Sequence, residues 1–308
     1  MRAFIFPGQG SQSVGMGAAL AGASRAAQDV FDEVDEALGQ NLFRLMRDGP
    51  DDELKLTENA QPAIMAHSIA VLRAWNVDLP DVVGFVAGHS LGEYSALCAA
   101  GSFDLPTTAK LLKLRGQAMQ QAVPVGQGAM AALLGADLAL AQKVAEAAAE
   151  GEVCTVANDN DPSQVVISGA KAAIDRAITL AKEMGAKRAV PLPVSAPFHC
   201  PLMQPAAEAM QDALSYVVLE QPVVPVFANV TAQPQSDPDT IRNQLVEQVT
   251  GMVRWRESVA NMFDAGVHEF VEVGGKVLGP MVKRIVPDAT VVSVVTIEDI
   301  ETASKEIA

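Results

Sequence analysis

Residues 82–92 constrain the possible folds of this chain more than any other segment. Six apolar residues without alternation (VVGFVA, 82–87) run directly into GHSLG at 88–92, and residues of helical composition follow. An apolar run without alternation is typical of a strand that is covered on both faces. The pattern G-x-S-x-G between a strand and a helix indicates a sharp turn that holds the serine hydroxyl above the edge of a sheet. We therefore predict that Ser90 is a nucleophile, against the simpler interpretation of a chance Gly-Ser-Gly turn.

The rest of the chain alternates between strand-like and helix-like patterns. Further strands are predicted at 3–6, 223–230, 269–273 and 290–295, and helical patterns separate them. Strands that alternate with helices form a mainly parallel sheet with helices on both faces. The predicted fold class is therefore α/β.

Residues 126–194 have an order of their own. Their apolar patterns follow the order strand, helix, strand, strand, helix, strand, which is the βαββαβ order of a ferredoxin-like arrangement. Segments rich in Pro or Gly bound the stretch at both ends. We predict an inserted subdomain at 126–194 within a larger α/β domain that is formed by 1–125 and 195–308.

Composition argues against several classes of protein. The 22 Lys and Arg against 37 Asp and Glu give a formal net charge of −15, and such a chain repels the phosphate backbone of nucleic acids. Three widely separated cysteines, at positions 98, 154 and 200, predict neither a disulfide framework nor a metal site. Because no run of about 18 apolar residues is present, we expect no signal peptide and no membrane span, and a cytoplasmic location.

A nucleophilic serine needs a base, and the sequence contains four histidines. His67 lies among apolar residues at helical spacing, which is typical of a packed core histidine. His89 is adjacent to Ser90 and projects in a different direction, and His268 lies where a strand begins. His199 lies in the irregular segment SAPFHC after the inserted subdomain, and loops that follow strands commonly present catalytic groups. His199 is therefore the candidate base by elimination.

Arg115 is predicted to face the core. It shares a helix face with Leu111, Leu112 and Met119. A buried guanidinium needs an anionic partner, because an unpaired buried charge is unfavourable. Two interpretations follow from the residues: an internal salt bridge to Asp or Glu, or a site for a substrate carboxylate, which guanidinium binds through two parallel hydrogen bonds.

The loop Gly8-Gln9-Gly10 follows the first predicted strand. It resembles the start of a dinucleotide-binding G-x-G-x-x-G, but Ser13 stands where the third glycine belongs, and no acidic residue ends a second strand about twenty residues later. A nucleotide-binding module is therefore a rival class with weak support. The other use of such a loop is to present main-chain N–H groups to a developing oxyanion, together with the N–H of Leu91 after the serine.

Four motifs in this order resemble those of a known enzyme family: FPGQGSQ at 6–12, GHSLGEYSA at 88–96, LRGQAMQ at 114–120 and PFHCPLM at 197–203. The sequence is similar to malonyl-CoA:acyl carrier protein transacylases, which belong to the acyltransferase family of fatty-acid and polyketide synthesis. The likeness extends to 157–169, 246–255 and 271–279 and so covers nearly the whole chain.

The resemblance implies a role for each residue that matches a family motif. Ser90 carries the acyl group, His199 is the base, and the main-chain carbonyl of Gln248 positions His199. The implied oxyanion-hole residues are Gln9 and Leu91. The implied substrate-binding residues are Arg115, which binds the malonyl carboxylate, Gln248, Asn158 and Phe198.

The resemblance also implies the reaction and the partners. A malonyl group passes from malonyl-CoA to the phosphopantetheine thiol of acyl carrier protein by a ping-pong mechanism through a Ser90 ester. No cofactor is implied, the chain is expected to be a monomer, and the large domain is expected to be α/β-hydrolase-like. The main rival is a serine esterase or thioesterase on a similar fold, which has no use for a cation at Arg115.

Carrier proteins of this kind are acidic, so docking on an acidic enzyme requires a local basic patch. Between 171 and 188 the sequence has five basic residues against two acidic ones, Asp175 and Glu183. We predict docking on this segment, whose basic residues are Lys171, Arg176, Lys182, Lys187 and Arg188. Lys283 and Arg284 form a smaller candidate patch, and the alternative for all of them is an ordinary solvated helix face.

Overall fold

Strands and helices alternate along most of the chain in the computed structural model, which describes residues 1–194 and 196–307. The strands are β1 (Arg2–Phe6), β2 (Phe85–Gly88), β3 (Gly128–Leu134), β4 (Cys154–Asp161), β5 (Gln164–Ala170), β6 (Arg188–Pro191), β7 (Val226–Phe227), β8 (Pro234–Gln235), β9 (Glu269–Val273) and β10 (Thr290–Val294). The helices are α1 (Ala18–Ala23), α2 (Arg25–Leu38), α3 (Leu42–Asp48), α4 (Asp51–Lys55), α5 (Thr57–Trp75), α6 (Leu79–Val82), α7 (Leu91–Ala99), α8 (Leu105–Gln121), α9 (Leu138–Ala149), α10 (Lys171–Glu183), α11 (Gln204–Ser215), α12 (Pro238–Thr250), α13 (Trp255–Asp264), α14 (Gly279–Ile285) and α15 (Ile297–Ile307), with a 3₁₀ turn at Pro201–Met203. Within the two described ranges, no helix has the length and apolar character needed to cross a membrane.

Six strands form one sheet in the order β10-β9-β1-β2-β7-β8. Neighbouring strands run parallel except β7 and β8, which are antiparallel. On β1, Phe4 and Phe6 enter the hydrophobic core on one face, whereas Ala3 and Ile5 pack with Trp255 on the other. Burial on both faces explains why these strands show no apolar–polar alternation. The predicted α/β class with a mainly parallel sheet is confirmed.

Two strands are much shorter than predicted, and β10 ends one residue before the predicted limit at 295. The apolar run at 82–87 becomes strand only from Phe85, because the residues before it form helix α6, which carries Pro80 in its first turn. The run at 223–230 forms strand only at Val226–Phe227. Pro225 has no N–H for a ladder, and Asn229 turns its side chain toward the end of β2, where its Nδ2 donates to the carbonyl of Gly88 at 2.7 Å.

Strands β3 to β6 form a separate antiparallel sheet in the order β4-β5-β3-β6. We call the part of the chain from β3 to β6 the insert. With α9 and α10 it follows the predicted order strand, helix, strand, strand, helix, strand, and it has a hydrophobic core of its own, which includes Leu133, Val144 and Ile174. The division into domains at 125/126 and 194/195 stays a prediction, and Ser195 and Ala308, the predicted limits of the second segment, lie outside the described residues.

Four consecutive residues at the end of β4 attach the insert to the larger part of the fold. Asn158 forms a β-bridge with Val253 of the segment before α13. The side chains of the next three residues contact three different elements, in the pairs Asp159–Arg256 (2.8 Å), Asn160–His89 (2.8 Å) and Asp161–Arg284 (2.8 Å). Asp159 and Asp161 are buried, and a buried carboxylate needs such a partner because its desolvation is otherwise unfavourable. These pairs hold the insert beside the edge of the sheet where β2 ends.

Candidate active site

Ser90 lies on a strained turn between β2 and α7. Its φ of 54° and ψ of −111° are rare for a residue with a Cβ. A Cβ on Gly88 would overlap the main chain of Gly92, and a Cβ on Gly92 would overlap the carbonyl of Phe6. The glycines of GHSLG are therefore required by the close packing of β1, β2 and α7. The N–H of Ser90 donates to Oδ1 of Asn229 at 2.8 Å, which supports the turn.

His199 is the histidine that reaches the serine. Its Nε2 lies 2.7 Å from Ser90 Oγ, and its Nδ1 lies 2.9 Å from the main-chain carbonyl of Gln248. Because a carbonyl only accepts, Nδ1 carries the proton and Nε2 presents its lone pair to the hydroxyl. Burial, reinforced by the charge of Arg115, lowers the pKa of His199 to about 3. The ring is therefore a neutral acceptor that is oriented to take the serine proton.

Arg115 is 1% exposed, and its guanidinium contacts the hydroxyl of Ser90. Its Nη1 donates to Gln61 Oε1 at 2.7 Å, and its Nη2 donates to Gln248 Oε1 at 2.9 Å and to Ser90 Oγ at 3.2 Å. Among the described residues, no carboxylate lies within 4.0 Å of the guanidinium, so the internal salt bridge is absent there. Burial lowers the pKa of Arg115, although the charges of Tyr94 and Glu93 oppose this. A desolvated cation beside the serine hydroxyl favours the binding of an anionic group.

Gln9 and Leu91, the predicted oxyanion-hole residues, line the same cavity as Ser90. Gln9 lies in the loop after β1, and the adjacent Gly8 approaches the carbonyl of His89 so closely that a Cβ would lie 2.8 Å from it. Within residues 1–194 and 196–307, neither the N–H of Gln9 nor that of Leu91 donates a hydrogen bond to the protein. The next helix, α1, begins only at Ala18, so the loop does not lead directly into a helix as a dinucleotide-binding loop does.

A cavity of about 460 Å³ joins these groups. Seven of the eight predicted site residues line it, and Gln248 lies directly behind His199 and Arg115. The seven are Gln9, Ser90, Leu91, Arg115, Asn158, Phe198 and His199. Met119, Met130 and Leu192 add an apolar wall. The cavity wall thus holds a serine hydroxyl in contact with a neutral imidazole and with a buried guanidinium.

The other three histidines have structural surroundings. His67 is buried and contacts the carbonyl of Gly274 at 3.1 Å. His89 packs edge-on against Trp255 and binds Asn160, and His268 packs edge-on against Phe263. The choice of His199 by elimination agrees with this geometry.

Sequence reasoning missed three polar residues of the site: Gln61, which lines the cavity, and Glu93 and Asn229, which lie behind it. Glu93 is 2% exposed, and burial raises its pKa to about 7 although hydrogen bonds from Asn229 and Gln248 oppose the shift. Its position three residues after Ser90 in the apolar stretch LGEYSALCA was the available signal, since residues three apart share a helix face. Nothing in the sequence distinguishes Asn229 from an ordinary loop residue.

Known acyltransferases are similar to this chain over nearly its whole length. The acyl transferase domain family matches residues 3–290. A malonyl CoA-acyl carrier protein transacylase of Haemophilus influenzae is 47% identical over 294 residues, which cover 95% of this chain and 94% of that protein. The crystal structure of an acyl-carrier-protein S-malonyltransferase from Bartonella henselae superposes with a TM-score of 0.97 at 51% identity, with 99% of both chains covered.

A further similar structure was solved together with an acyl-carrier protein. It is a malonyl-transacylase in complex with a type II polyketide synthase acyl-carrier protein, and it superposes with a TM-score of 0.96 at 40% identity over 99% of both chains. The fold and the site define an acyltransferase. The chain belongs to the acyl transferase domain family, within the malonyl CoA-acyl carrier protein transacylases. The resemblance found in the sequence is confirmed.

The low pKa of His199 predicts an unusual pH dependence of serine acylation. A pKa of about 3 keeps the base unprotonated from pH 8 down to pH 5, so the rate should not fall with the ordinary histidine pKa of 6.5. Glu93, with a pKa of about 7, titrates in the same range. Rapid-quench rates should therefore be recorded for the wild-type chain and for Glu93→Gln, whose profile is expected to be flat. A tenfold loss per pH unit below 6.5 in both proteins would contradict the assignment.

Proposed function

We propose that the chain transfers a malonyl group from malonyl-CoA to the phosphopantetheine thiol of acyl carrier protein, as part of fatty-acid synthesis, by a ping-pong mechanism. The observation that carries the proposal is the buried Arg115, which lies 3.2 Å from Ser90 Oγ and has no carboxylate partner within ion-pair distance in the described part of the chain. An acyl group that ends in a carboxylate supplies the missing anion, and the relatives are named for this reaction.

In the first half-reaction, Ser90 Oγ attacks the thioester carbonyl of malonyl-CoA while His199 Nε2 takes its proton. The oxyanion of the tetrahedral intermediate accepts hydrogen bonds from the N–H groups of Gln9 and Leu91, each of which contributes roughly 3–4 kcal/mol in comparable sites. When the C–S bond breaks, the imidazolium returns its proton to the leaving CoA sulfur. The malonyl ester of Ser90 and free CoA are the products.

The second half-reaction reverses these roles. The phosphopantetheine thiol gives its proton to His199 and attacks the ester carbonyl, and the proton then passes to the leaving Ser90 Oγ. Arg115 holds the malonyl carboxylate throughout by paired hydrogen bonds from its guanidinium. Asn158 and Phe198 form part of the cavity wall on the side of the insert, where we propose that they contact the acyl substrate.

The fold assignments are proposed at finer detail as well. We infer an α/β-hydrolase-like arrangement for the large domain (1–125 and 195–308) and a ferredoxin-like arrangement for the subdomain at 126–194, supported by the parallel and the antiparallel sheet. The absence of a cofactor requirement, the monomeric state and the cytoplasmic location stay predictions.

A serine esterase or thioesterase is the rival function. It shares the nucleophile, the base and the oxyanion donors, but a hydrolase of neutral esters gains nothing from a buried cation. The two functions differ in their product, since hydrolysis releases free acid whereas transfer retains the acyl group on the carrier thiol.

We predict that malonyl-CoA adds one malonyl group to Ser90, because Ser90 Oγ and His199 Nε2 are in hydrogen-bond contact. Ser90→Ala should form no adduct, and His199→Ala should acylate roughly 10²–10⁴-fold more slowly, the usual effect of losing a positioned base. Intact mass spectrometry after mixing with malonyl-CoA or acetyl-CoA measures the presence of the adduct and the rate at which it forms. An adduct that persists in Ser90→Ala would falsify the assignment, and release of free malonate in place of malonyl carrier protein would favour the hydrolase.

Arg115→Ala is expected to affect malonyl transfer and acetyl transfer differently. Malonyl transfer should fall steeply because its carboxylate loses the guanidinium, whereas acetyl transfer should fall less or rise. Arg115→Lys should restore only part of the malonyl activity, since an ammonium cannot form two parallel hydrogen bonds. The measurement is the ratio of malonyl to acetyl acylation rates. Equal losses for both acyl groups, together with a lower melting temperature, would assign Arg115 a purely structural role.

The basic residues at 171–188 do not form one continuous free patch. Lys171 pairs with Asp175, and Arg176 pairs with Glu150 and Glu152. Lys187 and Arg188 are exposed and form no ion pair with the described residues. Arg188 starts β6, and the same strand leads to Leu192 in the wall of the cavity, about 13 Å further at 3.3 Å per residue. In the second patch, Arg284 pairs with Asp161.

We therefore retain Lys187 and Arg188 as the proposed docking residues for the acidic carrier protein. Reversal of both to Glu should raise the KM for the carrier several-fold and change the half-reaction with malonyl-CoA much less, because only the protein partner meets this surface. Reversal of Arg25 and Lys305, exposed residues outside the insert, gives the same change in net charge and is the control. Carrier kinetics that match the control at low salt would eliminate this surface.

A further inference from the structure

Glu93 is a buried carboxylate without an ion-pair partner. It lies in the first turn of α7, three residues after Ser90, and is 2% exposed. Within the described residues, no Lys, Arg or His nitrogen lies within 4.0 Å of its oxygens. Burial of a carboxylate is unfavourable unless hydrogen bonds satisfy it. The hydrogen-bond partners of Glu93 therefore indicate its function.

One oxygen of Glu93 binds two other elements of the site. Oε2 accepts from Nε2 of Gln248 on α12 at 2.7 Å and from the main-chain N–H of Asn229, after β7, at 3.1 Å. The two partners contact the reacting groups directly. Asn229 Oδ1 accepts from the N–H of Ser90, and Gln248 contacts both His199 and Arg115.

The contact with Glu93 decides which way the Gln248 amide faces. Its Nε2 donates to Glu93 and to the carbonyl of Ser90 at 3.0 Å, so its Oε1 faces Arg115 Nη2 at 2.9 Å. The reversed amide would place an NH₂ group against the guanidinium, which is repulsive, and an oxygen against Glu93, which is repulsive when Glu93 is ionised. The main-chain carbonyl of the same residue fixes the tautomer of His199.

We propose that Glu93 is a positioning residue for acyl transfer. It holds Gln248, and through Gln248 it orients Arg115 toward the acyl carboxylate and His199 toward Ser90. It also holds Asn229 against the strained turn of Ser90. The part of this inference that concerns the acyl carboxylate rests on the proposed malonyl transfer.

The test compares two substitutions at Glu93 with a control at a second buried glutamate. Glu93→Gln keeps an oxygen that can accept both hydrogen bonds, and Glu93→Leu fills the space without an acceptor. Glu272 is fully buried and accepts from the N–H groups of Val277, Leu278 and Gly279, away from the cavity. Glu272→Leu therefore removes a buried carboxylate that does not line the cavity.

Each protein is assayed for the rate of Ser90 acylation by malonyl-CoA and by acetyl-CoA, corrected for the folded fraction by circular dichroism. For Glu93→Leu we expect a loss of malonyl acylation on the order of 100-fold, as for other small displacements of catalytic groups. We also expect its malonyl-to-acetyl ratio to fall about tenfold, because Arg115 loses its orientation. Glu93→Gln should remain within a few-fold of the wild-type rate and ratio, and Glu272→Leu should lower the melting temperature without changing the ratio.

The inference is overturned if Glu93→Leu keeps the wild-type ratio of rates, as Glu272→Leu is expected to do. If Glu93→Leu does not fold, Gln248→Leu decides, because it removes the amide that Glu93 holds and keeps the main-chain carbonyl. A lowered malonyl-to-acetyl ratio in Gln248→Leu supports the inference, and an unchanged ratio overturns it. Failure of the proposed function is a separate result, since the wild-type chain would then either form no malonyl adduct or release free malonate in place of malonyl carrier protein.

Discussion

The close approach of β1, β2 and α7 determines the geometry of the whole site. The register that pairs Phe6 with Gly88 brings the ends of the two strands level, and Gly92 lets the first turn of α7 lie against the carbonyl of Phe6. The loop after β1 and the turn after β2 therefore meet, and Gln9, Ser90 and Leu91 line the same cavity. A methyl group at position 88 or 92 would overlap main-chain atoms of Gly92 or Phe6 and push these elements apart.

The second constraint is electrostatic. Arg115 is desolvated, yet its hydrogen-bond acceptors, apart from the serine hydroxyl, are the neutral amide oxygens of Gln61 and Gln248. Neutral acceptors bind Nη1 and Nη2 without cancelling the charge, and Nε has no hydrogen-bond partner among the described residues. The guanidinium in the cavity wall is therefore not neutralised by an ion pair there. The same charge contributes to the low pKa of His199. Burial and this buried cation together keep the His199 ring unprotonated, and under the proposed function the same cation binds the acyl carboxylate.

Local patterns were sufficient to predict the α/β class, the strand-helix order of the insert, and the serine on its turn. The ends of β2 and β7 were not predictable from apolarity, because Pro80 and Pro225 and the side-chain contacts of Asn229 decide them. His199 could be selected only by elimination, since its nearness to Ser90 depends on contacts across 109 positions of sequence. Glu93 and Asn229 were missed for a related reason, because their hydrogen bonds exist only when α7, α12 and the segment after β7 pack together. The neutral partners of Arg115 likewise needed the folded structure, because the residues alone were compatible with a salt bridge.

The attachment of the insert has a consequence for how such proteins can be recombined. Asn158, Asp159, Asn160 and Asp161 bind four separate positions of the larger part of the fold, and one of these is His89, the immediate neighbour of the nucleophile. The insert has a core of its own, so it has the appearance of an exchangeable unit. The insert is nevertheless joined to the larger part of the fold by specific residue pairs. Arg256 and Arg284 belong to the larger part and pair with Asp159 and Asp161 of the insert. A chimera that receives an insert from another acyltransferase therefore needs the matching residues of α13 and α14 from the same donor, or Arg256 and Arg284 will lose the buried carboxylates with which they pair here.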